Sequence, residues 1–225
     1  MFSIAWIISF SLLALSFLGI VFCAMFFAKP VDSYKVSFMR MFPFEMAKTA
    51  EINGKFYTFS TYLFSGMCFS PIIVIVEESS KLKAINPLSI LIACILGLAA
   101  LCFVFLNIFD VTHVKPHLTL FAIFALLTLL SSALVSARGF IAYDVLRRHG
   151  STEVLFIIVA IAEAVIVAFI LCLIVNPKLK IWAKLDLVDG EYVRPKRFPL
   201  AYSEWGILLA LFLTETLYFV QLLIR

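Results

Sequence analysis

Val154-Leu-Phe-Ile-Ile-Val-Ala-Ile-Ala-Glu163-Ala-Val-Ile-Val-Ala-Phe-Ile-Leu-Cys-Leu-Ile-Val175 is a run of 22 residues with one charge, near its middle. As a helix rising ~1.5 Å per residue, it is long enough to cross a ~30 Å hydrocarbon core. Five more stretches read the same way: 4–27, 56–76, 88–109, 118–137 and 202–223. None alternates polar and apolar residues with a period of two, which excludes a transmembrane β-barrel. The expected fold is all-α: a polytopic six-transmembrane-helix bundle forming a single domain over residues 1–225.

Composition agrees with that reading. The chain is 64% hydrophobic and 14% charged, with a mean hydropathy of +1.09. Soluble domains sit near half apolar and a quarter charged, so a soluble enzyme, a nucleic-acid-binding module and a disordered chain are all excluded. The net charge of +4 is scattered through several loops and forms no groove for nucleic acid.

Local signals refine the spans. Asn86-Pro87 punctuates the start of the third, because proline is tolerated in a first helical turn. Pro71 should kink the second, whose entry, Tyr57-Thr-Phe-Ser-Thr-Tyr62, is polar and aromatic. The first has no Lys or Arg before Ala28 and is too long for a signal-peptide core, so a retained span is expected. The last ends beside Arg225, so no tail or separate domain is expected at either end.

Few chemical motifs are present. Phosphate loops, GxSxG elbows and HExxH are missing. Cys23, Cys68, Cys94, Cys102 and Cys172 all fall in apolar stretches without CxxC spacing, and read as small core hydrophobes. There is no Asn-x-Ser/Thr sequon. Glu77-Glu78 resembles the paired glutamates of membrane-embedded CAAX proteases, but the later arginine and histidine motifs of those enzymes are missing. Asp110, His113 and His117 form a cluster able in principle to bind a metal or move protons. Pro116 should break the geometry that would join the two rings, so a polar interfacial turn is the better reading. A ceramidase-like hydrolase would need more ligands. No catalytic residue, metal, cofactor or nucleic acid is expected.

The charges inside the bilayer say more. Glu163 and Glu215 each lie ten residues from a charged span boundary, Glu153 and Arg225 respectively, ~15 Å of helix. In antiparallel neighbours they reach the same depth. An intramembrane carboxylate costs a few kcal/mol and is a functional candidate by default. The structural alternative turns both inward, hydrogen-bonded to Ser131, Ser132 or Ser136 and sharing a proton. In the fourth loop, Tyr143-Asp-Val-Leu146 fits a tyrosine-based sorting signal, although a tyrosine extending the fourth span past the interface is the better reading.

The last span opens with Ala201-Tyr-Ser-Glu204-Trp205 and continues through Phe212, Thr214 and Phe219. Phe109-Asp110, His113, His117 and Phe121-Ala-Ile-Phe124 mark the entry to the fourth. Together with six spans and a long first loop, this resembles the DRAM family, the damage-regulated autophagy modulators with their FRAG/SFK-type relatives. Physically, Trp205 suits the aromatic belt at the interface, and Glu204 suits a first helical turn. The resemblance implies a non-enzymatic regulator of autophagy and lipid organisation in endolysosomal or plasma membranes. Its partners would be membrane lipids and other membrane proteins. One branch of the family implies GPI-anchor lipid remodelling in the Golgi or ER. From other classes, a small proton-coupled transporter would use Glu163 and Glu215, and a lipid-modifying enzyme would use Asp110, His113 and His117.

Six spans put both termini on one side. Odd-numbered loops carry twelve Lys and Arg against six opposite, which favours cytosolic odd loops. The resemblance implies cytosolic termini instead, and a twofold bias spread over long loops is the weaker guide.

Overall fold

The computed structural model describes residues 4–27, 42–47, 52–82, 87–109, 114–148, 154–177, 179, 186–188, 191–193 and 198–223. Six segments are long and apolar enough to cross a membrane: Ile4–Met25, Gly54–Val76, Pro87–Ile108, Lys115–Arg148, Val154–Ile174 and Pro199–Leu223. The six-span helical bundle is therefore the architecture.

Helix α1 (Ile4–Phe22) closes in a single π-helical turn, Cys23–Phe27. A five-residue helix, α2 (Pro43–Ala47), follows in the first loop. Glu45 caps it: its Oε2 accepts the Phe42 N–H at 2.9 Å, while the Glu45 N–H returns to the Phe42 carbonyl at 3.2 Å. This is the carboxylate half of a capping box; Phe42 has no side-chain oxygen to supply the other half.

The second span is broken, as Pro71 required. Helix α3 (Ile52–Met67) stops at the turn Cys68-Phe69-Ser70, and α4 (Pro71–Leu82) restarts on the proline. Pro71 has no N–H to give the carbonyl one turn back, that of Met67. Ser70 supplies the missing donors, its N–H at 2.9 Å and its hydroxyl at 2.6 Å. The Phe69 ring packs into the space left by Gly97 on α5 (Pro87–Ile108), where a Cβ would come within 2.2 Å of it.

Helix α5 (Pro87–Ile108) starts on its proline, as expected. Helix α6 (Val114–Arg148) departs from expectation at both ends. Pro116 lies in its first turn and does not break it, because the first four N–H groups of a helix have no internal acceptor. At the other end α6 runs on to Arg148, held by an ion pair of 2.6 Å from Arg148 to Asp144 one turn earlier. Helix α7 (Val154–Ile174) matches the fifth span. Two short strands, β1 (Asp186–Val188) and β2 (Glu191–Val193), pair antiparallel in the fifth loop, with Leu187 opposite Tyr192.

Helix α8 (Pro199–Leu223) packs against α1, α5, α6 and α7. Phe212 stacks on Phe17 of α1 with ring centroids 3.9 Å apart, and the Trp6 indole N–H donates to the Phe219 carbonyl at 3.3 Å. The outward surface is apolar: Leu15, Leu126, Ile158 and Val165 are all exposed. Facing acyl chains, such residues carry no penalty.

Candidate functional site

Helix α8 carries polar residues at roughly helical intervals on its buried side: Ser203, Glu204, Thr214, Glu215, Tyr218 and Gln221 are all buried. From Glu204 to Gln221 the rise is ~26 Å, most of a bilayer core. Polar contacts gather on it at three depths.

The first lies at the start of α8. The Glu204 Oε1 meets the His117 Nε2 at 2.7 Å, although 87 positions separate them in the chain. The other imidazole nitrogen, Nδ1, lies 2.6 Å from the Phe109 carbonyl at the end of α5. A carbonyl only accepts, so Nδ1 must donate, and the Nε2–Oε1 contact then needs a further proton between them. Both side chains are sealed from solvent, at 0% and 1% exposure. The Phe42 ring, at the head of α2, stands edge-on to the imidazole with centroids 6.0 Å apart. The expectation for Glu204 is corrected here. It lies in the second turn of α8, buried and paired, not in a first turn stabilised by the helix dipole alone. His117 belongs to a helix, not an interfacial turn. Asp110 and His113 lie outside the described residues. Trp205 is half-buried and packs against the hydrophobic core.

The second depth holds the two carboxyls. The Glu163 Oε2 accepts from the Ser132 hydroxyl at 2.6 Å and from the Thr214 hydroxyl at 3.2 Å. Helices α6, α7 and α8 are thus tied at one point. Ser132 fills its expected place, but Ser136 donates to the Ala160 carbonyl at 2.8 Å and Ser131 to the Thr128 carbonyl at 2.9 Å. Glu215 follows Thr214 directly and points about 100° away around α8. It is fully buried, and the Cys68 thiol at the break in the second span faces it without meeting hydrogen-bond geometry. Neither Glu215 oxygen has a partner among the described residues, nor does the Glu163 Oε1. Each carboxyl faces neighbours of its own, Glu163 the Ser132 and Thr214 hydroxyls and Glu215 the Cys68 thiol. Neither is directed to lipid.

The third depth is cationic. Arg138 on α6 donates to Gln221 at 2.8 Å and to Ser89 at 3.3 Å, with its guanidinium 5.8 Å from the centre of the Tyr218 ring. Tyr218 donates to the Ser89 carbonyl at 2.6 Å, and Gln221 to the Val135 carbonyl at 2.9 Å. Sequence reasoning missed Tyr218, Gln221 and Ser89. Their signal was available in the polar stripe of α8, which an apolar-run search passes over.

Tyr143 and Leu146 are half-buried on the last turns of α6. A partner that reads a short motif as an extended strand would have to unwind this end first. The cysteines divide: Cys23 and Cys68 are buried, Cys94 and Cys102 half-buried, and Cys172 exposed on the lipid-facing side of α7, where burial had been expected. Among the described residues, no three His, Cys, Asp or Glu side chains form a group able to hold a metal ion.

Fold and site together define an integral multi-pass membrane protein with a buried polar column along its last helix. No family model matches this chain, and neither a curated protein nor a solved structure matches it.

Proposed function

We propose that the chain is a non-enzymatic membrane protein of the DRAM/FRAG/SFK type, acting on lipid organisation and autophagy from endolysosomal or plasma membranes. The supporting observation is the 2.7 Å contact between His117 and Glu204. These residues belong to the two separate motifs that carry the resemblance, and the fold joins them in one buried pair. A tagged copy expressed in cells should reside in endolysosomes or at the cell surface and change autophagic flux. His117→Ala, compared at equal abundance, should lose that effect. Residence confined to the Golgi or ER would favour the GPI-remodelling branch, and unchanged flux would overturn the reading.

A second reading, proton-coupled transport, has its own support. A fully buried Glu215 that faces the Cys68 thiol and whose oxygens meet no hydrogen-bond geometry among the described residues, set beside an interrupted membrane helix, combines two features that recur in transporters. Proteoliposomes under a pH gradient should then acidify, with the flux lost in Glu215→Gln. Identical traces with protein-free vesicles would remove this reading.

A further inference from the structure

Between α2, α3 and α5 lies a cavity of about 180 Å³, lined by Ala47, Tyr57, Thr58, Thr61, Tyr62, Val104, Asn107 and Ile108. We propose that it binds the head of an uncharged, hydroxyl-bearing membrane lipid, of the acylglycerol, ceramide or sterol kind. The inference rests on the lipid-organising reading and gives it a ligand class.

Depth comes first. Thr58 stands ~6 Å inside the start of the second span at Gly54, and Asn107 is the penultimate residue of α5, so the cavity sits at one membrane boundary. Its mouth faces sideways: Tyr62 is 53% exposed and Ile108 55%, at a level where the surroundings are lipid. An amphiphile can enter from the bilayer without leaving it.

The lining then selects the head. Among the described residues it offers three hydroxyl-bearing residues on one face of α3, a tyrosine at the mouth and one carboxamide, but neither a carboxylate nor a cation. Thr58 donates to the Gly54 carbonyl at 2.8 Å and Thr61 to the Tyr57 carbonyl at 3.0 Å, which commits their protons to the helix backbone and leaves the hydroxyl oxygens to act as acceptors, that of Thr61 beside the Tyr57 side chain. Tyr57 donates to the Asn107 Oδ1 at 3.3 Å, and the Asn107 Nδ2 gives one N–H to the Phe103 carbonyl at 2.8 Å. An amide nitrogen has two, so one donor remains. A site with several acceptors and two donors, the second Asn107 N–H and the Tyr62 O–H, fits a hydroxyl, which does both. A phosphate, accepting only, would meet mostly hydroxyl lone pairs, with no counter-charge among the described residues. At about 180 Å³ the cavity has room for a small head while the chains stay in the bilayer.

The test uses the full-length protein in phosphatidylcholine nanodiscs with photoreactive diacylglycerol, ceramide, sterol and phosphatidylcholine probes. At least one hydroxyl-headed probe should crosslink to peptides of α3 or α5 above the phosphatidylcholine level, and the unlabelled lipid should compete. Which of the three labels identifies the source. Asn107→Leu removes about one hydrogen bond, so labelling should fall about fivefold. Val104→Phe, which fills the cavity with an apolar ring and leaves Asn107 in place, should abolish labelling and guards against misfolding of the first variant. Equal labelling by all four probes, or labelling unchanged in both variants, overturns the proposal. A protein that alters autophagic flux yet takes no hydroxyl-headed probe would sink the cavity assignment alone.

Discussion

His117 and Glu204 set the residue-scale logic, because a buried imidazole nitrogen and a buried carboxyl oxygen meet at 2.7 Å. Removing one partner of a buried ion-paired contact costs about 3–5 kcal/mol, while leaving a buried neutral group unpaired costs about 1–3 kcal/mol. His117→Ala strands a carboxyl and should lower the melting temperature in detergent most. Glu204→Ala strands only an imidazole nitrogen and should lower it less. Glu204→Gln should stay near wild type, since with Nδ1 committed to the Phe109 carbonyl the free Nε2 lone pair accepts an amide N–H. If Glu204→Gln is as damaging as Glu204→Ala, the carboxyl itself is needed. Sequence exposed both residues as candidates, one in a loop motif and one at a span entry, but gave no means of pairing them. The contact depends on α5, α6 and α8 ending at the same level, which no local pattern encodes. Ser136 shows the converse: a serine at the right height whose hydroxyl the α7 backbone takes first.

At the scale of elements, the interrupted second span is the feature with the clearest cause. Proline takes away one donor, Ser70 restores it twice, and the freed turn presents Phe69 to Gly97. Gly97→Ala puts a methyl into that ring, so a loss of about 1–3 kcal/mol is expected from overpacking. Thermal unfolding should recover in part when Phe69→Leu is added, because the smaller side chain makes room. Full stability of Gly97→Ala alone would mean the turn packs elsewhere. The break was legible because proline acts locally. The extension of α6 was not, since residues after Ala137 are polar enough to end an apolar run yet still helical. The β1–β2 hairpin left a sign in the sequence, Asp189-Gly190 between two apolar-centred triplets, a pair favoured in two-residue connections. A search for spans does not look there.

For the molecule as a whole, six crossings place the two termini together and the α7–α8 loop opposite them, and this arrangement gives every other feature its depth. The His117–Glu204 pair and the hydroxyl-lined cavity belong near the side of the odd loops, and the Arg138 cluster near the side of the termini. Apolar length made the number of crossings readable from sequence alone. Their direction was not, because the charge bias and the family resemblance point opposite ways. Single cysteines placed at positions 190 and 225 of a cysteine-free variant, reacted with an impermeant maleimide in sealed vesicles of known orientation, measure both. Labelling of position 225 from the cytosolic side, with position 190 reached only after permeabilisation, is the expected result. The reverse pattern would keep the bundle but turn it over in favour of the charge bias, removing a support of the family reading. Labelling of both positions from the same side would contradict the six-span bundle itself.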